Sequence, residues 1–224
     1  MGSAIAFFDA IAHRYDREYV LDAATTRTRM QRVVREIPRG ARDVLDLGVG
    51  TGRELPALLD AGFDVTGVDG SERMLEVCAK RARPVPLVHA DFYERLPFED
   101  ASFDAVLALH GTLAHPPHER AFVALMQNIA RVLRSGGTFI AEVPSAGWLA
   151  MVERGAVDDG RRSAMRVAAD RIRHDDRVAN VTIEAFVRSE ASWRSSLEPA
   201  FEVRVEALSP VEDLVVARLA ARAV

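Results

Sequence analysis

Three glycines at alternate positions, Gly48, Gly50 and Gly52, stand between an aspartate set in an apolar run, Asp46, and a second aspartate, Asp69, that closes the next apolar run. Glycine removes the side chains that would hold a ligand off the backbone, and a helix starting just beyond such a turn offers unpaired amides. Consecutive strand ends in an open α/β sheet lie side by side, so Asp46, the glycines and Asp69 can line one crevice. This is a layout for a nucleoside. Asp46 narrows the choice, because a buried carboxylate beside a pyrophosphate is repelled, whereas beside a cationic amino group or a sulfonium it is satisfied. Arg53 occupies the place of the third glycine of a dinucleotide fingerprint, and no Gly-Lys-Ser/Thr follows to make a Walker A loop.

A second cluster lies further on. His110, His115 and His118 share one segment, stiffened by Pro116 and Pro117. A metal site would need carboxylates or cysteines at ligand spacing, and none accompanies them, so no metal is expected. A histidine whose pKa lies near ~6.5 can take a proton at neutral pH. His110 and His115 are therefore the candidate catalytic residues, as base or as orienter of a substrate.

The elements that must position these groups follow from periodicity. Apolar runs at 43–47, 63–69, 85–89, 103–109 and 138–143 read as strands, separated by helical spacing at 53–61, 71–81 and 119–133. Gly62 and Ser71 mark a helix end and a helix start. The histidine loop leaves the carboxyl end of the fourth strand, where open sheets hold ligands. Residues 145–176 show polar-rich helical spacing, 178–188 alternate like a half-buried strand, and a helix is expected near 189–199. Two last strands, 201–207 and 213–219, are joined by five residues, too few for a crossover helix, so they form an antiparallel hairpin. The predicted fold is α/β: a Rossmann-like, seven-stranded, mostly parallel sheet with a C-terminal hairpin and helices on both faces. One domain is expected over 1–224, with 1–40 as an N-terminal helical lid and 145–188 as a substrate-side insert whose Trp148 and Met151 offer apolar walls.

With these residues in place, the chain resembles the class I S-adenosylmethionine-dependent methyltransferases, over about residues 5–143 and loosely in the hairpin. The segment from Phe8 to Asp16 resembles the opening of quinone-biosynthesis methyltransferases and related small-molecule enzymes. The resemblance implies S-adenosyl-L-methionine as cofactor, with its methionine end at Asp46 and the Gly48–Gly52 loop and its ribose at Asp69. It implies the adenine amine at Asp91, the ring against Met74 and Phe92, and Tyr15 closing over the cofactor. Leu109 and His110 would border the sulfonium. Gly70, where a bulkier residue is usual, is expected to loosen the adenosine pocket. The implied reaction is in-line methyl transfer to a small-molecule oxygen, nitrogen or carbon.

Composition bears on the partner. Among 224 residues, 49% are hydrophobic and the net charge is -4, which fits one well-cored domain and lacks the bulk positive charge that draws polyanions. DNA is excluded and RNA disfavoured as partners, although arginines between 161 and 173 keep an RNA or protein methyltransferase as an alternative. A non-catalytic cofactor-binding partner protein is another. The strand-four loop lacks the Asn/Asp-Pro-Pro-Tyr/Phe sequence typical of amino-methylating enzymes, and a single cysteine, Cys78, rules out a paired-thiol mechanism. No apolar run is long enough to span a membrane and no signal peptide is seen. A reducing, cytoplasmic setting and a monomer or homodimer are expected.

Overall fold

A computed structural model describes residues 3–19, 22–81, 84–155 and 157–220. Two helices, α1 (Ala4–Glu18) and α2 (Ala23–Glu36), precede the first strand, each capped by a side chain at its start, Ser3 and Asp22. Strand β1 (Asp43–Leu47), helix α3 (Leu55–Asp60) and strand β2 (Asp64–Asp69) form the first crossover unit. Helix α4 (Glu72–Cys78) begins at Ser71, whose hydroxyl accepts from the Met74 amide at 3.1 Å, and β3 (Leu87–His89) is short. Strand β4 (Phe103–Ala108) runs into a 3-10 turn at Thr112–Ala114.

Helix α5 (Glu119–Val132) shows how patterning becomes packing. Phe122, Leu125, Met126, Ile129 and Val132 recur at helical spacing and are all buried. Each such side chain contributes about 1.5–3 kcal/mol by leaving water. Leu125→Ala would therefore cost about 2–5 kcal/mol. The third loop histidine, His118, is the cap of this helix: its Nδ1 accepts from the Ala121 amide at 3.0 Å.

Strand β5 (Leu133–Pro144) and helix α6 (Ala146–Glu153) come next. Residues 162–176, expected to be helical, are instead two strands, β6 (Arg162–Ala168) and β7 (Arg171–Asp176), and β8 (Val181–Phe186) completes a separate antiparallel sheet in the order β6-β7-β8. Helix α7 (Glu190–Leu197) then leads to β9 (Phe201–Ser209) and β10 (Glu212–Leu219).

The main sheet has the order β3-β2-β1-β4-β5-β10-β9. Its first five strands are parallel, and β10 enters antiparallel between β5 and β9. Alternate residues of β1 feed opposite cores. Leu45 and Leu47 join Phe122 and Ile129 on one face, while Val44 joins Met30, Val33 and Leu58 on the other. Coverage on both faces explains why the central strands read as unbroken apolar runs. It also makes Asp46 an exception that needs a reason.

Candidate active site

The reason lies at the carboxyl ends of β1, β2 and β4. There a cavity holds about 790 Å3 of atom-free space, part of it open to solvent. Tyr15, Asp46, Gly48, Gly50, Asp69, Gly70, Met74, Phe92, Leu109, His110 and His115 all line it. Two of the residues expected to hold the cofactor do not. Gly52, at φ +73°, turns toward the Cys78 sulfur and Leu55, so its part is to shape the loop over the α3–α4 core. Asp91 is exposed, and its Oδ1 accepts from the Tyr93 amide at 2.9 Å, closing a turn outside the wall.

The glycine turn is locked to the second strand. The Gly50 amide donates to Asp69 Oδ2 at 2.8 Å and the Ser71 amide to Asp69 Oδ1 at 2.8 Å. Each carboxylate oxygen keeps further lone pairs for a ligand. Burial pushes the Asp69 carboxyl up, and these amides pull it part of the way back. Gly48, at φ +73°, brings its backbone against the Thr112 side chain, where a Cβ would collide. Gly70 does not loosen the pocket as expected, because a Cβ there would lie 2.9 Å from the Ile5 side chain: α1 fills that space with its own residue.

Asp46 is 2% exposed, and its Oδ2 makes no hydrogen bond among the described residues. Burial raises its pKa well above the ordinary carboxyl range, and the Glu54 and Asp69 carboxylates raise it further against an opposing His110. A buried acid with an unused oxygen in a cavity wall fits a cationic ligand group.

The two histidines sit differently. His110 has φ +53° and lies between two acids: Nε2 contacts Glu54 Oε1, and its backbone amide donates to Glu142 Oε2 at 3.1 Å. Arg29 holds Glu142 from behind through two bonds, of 3.2 and 2.9 Å, and reaches Glu212 as well. Burial opposes the imidazolium, yet Glu54 and Glu142 outweigh it and the His110 pKa is raised. Among the described residues, no acidic side chain pairs with His115. Its Nδ1 lies 2.8 Å from the Glu184 carbonyl oxygen of β8, and burial lowers its pKa.

Several wall residues escaped the sequence reading. Thr51, Arg53, Glu54, Ser71, Tyr93 and Thr112 all line the cavity. Arg53 and Glu54 directly follow the glycine turn, and that position was their signal. Asp16 ends the segment whose resemblance the sequence showed, but its partners were not legible there: its Oδ1 accepts from Thr51 Oγ1 at 2.7 Å and Arg53 at 3.2 Å, and its Oδ2 from Arg81, tying α1 to the glycine loop. Trp148 lies outside the wall, stacked on His174 with ring centres 4.8 Å apart, and Met151 is absent from the lining too. Cys78, buried beneath Gly52, has its thiol pushed up to about 11 by burial, which makes it a packing group. No helix among the described residues is long and apolar enough to cross a membrane. Nor do those residues contain a cluster of three or more His, Cys, Asp or Glu able to hold a metal ion.

Residues 44–137 match the family described as "Methyltransferase domain". Together with the sheet order and the glycine-turn crevice, this match makes the chain similar to the class I S-adenosylmethionine-dependent methyltransferases, those of quinone biosynthesis among them. Among particular proteins, the chain is 34% identical over 166 residues to the demethylmenaquinone methyltransferase of Clavibacter sepedonicus, an alignment covering 69% of this chain and 63% of that protein. The first curated relatives it matches are covered over 39 to 63% of their own lengths. In fold it is similar to an S-adenosylmethionine-dependent methyltransferase from Clostridium acetobutylicum, with TM-score 0.72, 16% identity, and 96% of this chain and all of that one aligned. It is also similar to the Burkholderia thailandensis 1,6-didemethyltoxoflavin-N1-methyltransferase solved with 1,6-didemethyltoxoflavin and S-adenosylhomocysteine, with TM-score 0.64, 21% identity, and 96 and 86% coverage. At these identities the two structures speak for the fold.

Proposed function

We propose that the chain transfers a methyl group from S-adenosyl-L-methionine to a small-molecule oxygen, nitrogen or carbon. The observation that carries this reading is the unpartnered, buried Asp46 oxygen in a cavity it shares with the glycine turn and Asp69. An amino-acid end needs a counter-charge for each of its groups. Asp46 would take the ammonium and Arg53, on the same wall, the carboxylate. Asp69 would accept from the ribose hydroxyls, Met74 and Phe92 would bracket the base, and Tyr15 would cover the cofactor from α1. When bound, the cofactor supplies an electrophilic methyl group on a positively charged sulfur.

What the chain adds is orientation and shelter from water, so most of the rate would come from positioning. In this reading, helices α1 and α2 act as the lid and residues 145–188 roof the acceptor side. A net charge of -4 and the acid-rich wall speak against a nucleic-acid acceptor. The test is calorimetry with S-adenosylmethionine and S-adenosylhomocysteine on the wild type and Asp69→Ala. Micromolar binding that weakens by about 2–4 kcal/mol in the variant is expected, as for other truncated buried charge pairs. Absence of binding to folded wild-type protein would overturn the reading.

A further inference from the structure

The two cavity histidines are not equivalent, and their hydrogen bonds assign them different work. The Glu184 carbonyl oxygen can only accept, so His115 must carry its proton on Nδ1, and in the neutral ring the lone pair then stands on Nε2. Phe8 of α1 meets the same ring edge-on, with centres 5.7 Å apart, and keeps the imidazole in place. Tyr93 lines the same cavity, and its Oη is buried with no hydrogen bond among the described residues. His110 offers no comparable lone pair, since Glu54 takes its Nε2 and Glu142 faces its Nδ1 at 3.8 Å.

We propose that His115 is the general base of this site and that the methyl acceptor is an uncharged molecule whose hydroxyl or amine hydrogen meets His115 Nε2, with Tyr93 Oη as a second contact. The proposal rests on the methyltransferase reading above and specifies its acceptor. As the new bond forms between the acceptor's oxygen or nitrogen and the methyl carbon, the carbon–sulfur bond breaks and its electron pair leaves with sulfur. The acceptor's proton passes to His115 Nε2 and from there to solvent. A hydroxyl or amine becomes strongly acidic as it is alkylated, so even a weak base suffices, provided that it is unprotonated beforehand.

The surroundings of His115 meet that condition. Burial disfavours its imidazolium, against a smaller opposing effect of the Glu184 carbonyl. On β7, the neighbouring His174 is itself held neutral, its pKa lowered to about 4 chiefly by burial. The Glu184 carboxylate on β8 is paired with Arg171 at 3.4 Å, and α1 contributes the uncharged Phe8. On its own segment, His110 is committed to its two acids.

The test uses 15N-labelled full chain and long-range imidazole nitrogen–proton correlations, with and without S-adenosylhomocysteine. His115 is expected to show the Nδ1–H neutral tautomer and a midpoint below the ordinary value of about 6.5. An Nε2–H tautomer, or a midpoint at or above that value, would overturn the proposal. Phenol added to the S-adenosylhomocysteine complex should move the His115 Nε2 resonance, and its methyl ether anisole should not. Equal shifts, or none with phenol, would remove the hydroxyl-bearing acceptor class. His115→Asn keeps a donor for Glu184 and should bind S-adenosylhomocysteine within about twofold of wild type, with methyl transfer reduced by roughly 10²–10⁴. Undiminished transfer by that variant would also sink the idea. Loss of S-adenosylhomocysteine binding by the wild type would count against the methyltransferase reading instead, because the tautomer is observed without the cofactor.

Discussion

Asp46 is a residue the fold tolerates at a cost. Its carboxyl is raised by burial and by neighbouring acids, so its contribution to stability is greatest below the unfolded carboxyl range of about 4 and is lost as pH rises through the folded pKa. Asp46→Asn removes that loss. The variant is expected to melt higher than wild type at pH 7–8 without ligand, yet to gain little from S-adenosylmethionine, because the counter-charge for an ammonium is gone. Paired thermal scans with and without cofactor check both halves, and a variant that melts lower in its free form would contradict the account. His110 behaves oppositely. Its raised pKa, set by Glu54 and Glu142 against burial, means that its ion pair stabilises fully below about 6.5 and fades as pH climbs through the folded value. The wild-type melting temperature should therefore decline on the alkaline side relative to His110→Gln. A parallel decline in both would show that the pair contributes nothing. Asp46, Asp69, Gly48 and Gly50 of this wall were legible in the sequence because their spacing from strand ends is set by the chain itself. The contrast between His110 and His115 was not, since it comes from Glu54, Glu142 and the Glu184 carbonyl, all remote in sequence.

Legibility also changes at the level of elements. The alternating cores of β1 and the apolar stripe of α5 declare themselves, and the short link before β10 dictates a hairpin. Strands β6 and β7 do not declare themselves. Only Ile172 and Asp176 among their residues are buried, and β6 has no buried position, so no apolar period distinguishes strand from polar helix. Their order comes from long-range pairing with β8. Helix α1 was visible as an apolar segment, but its anchor was not. Asp16 binds Thr51, Arg53 and Arg81, three residues that surround or follow the glycine turn. Breaking that knot should loosen the whole helix rather than one side chain. In Asp16→Ala, amide exchange across residues 4–18 should quicken, and S-adenosylhomocysteine should dissociate about ten times faster, a change of about 1.4 kcal/mol. Unchanged exchange in α1 would mean that its apolar contacts with α4 and β8 hold it alone.

At the scale of the whole molecule, α1 is the only described element joined by ion pairs both to the glycine-loop region and to the small antiparallel sheet. On one side stands the Asp16 knot. On the other, Arg14 pairs with Asp176 of β7 at 2.7 Å, both side chains at most 5% exposed, and Arg162 donates to the Glu18 carbonyl at 2.6 Å. The β8 backbone that fixes His115 belongs to that same sheet. A ligand that stills the glycine loop is thus expected to still β7 and β8 as well. Hydrogen exchange with S-adenosylhomocysteine should show added protection in both regions of the wild type. Asp176→Ala takes from the buried Arg14 its partner in β7 and leaves it only Glu18 of its own helix, which costs at most about 3–5 kcal/mol, or up to roughly 20 °C of melting temperature for a chain of this size. At a temperature where the variant is still folded, protection of the glycine loop should persist while that of β7 and β8 disappears. If both regions stay protected, the two sheets communicate by packing across the cavity and the buried ion pair serves stability alone.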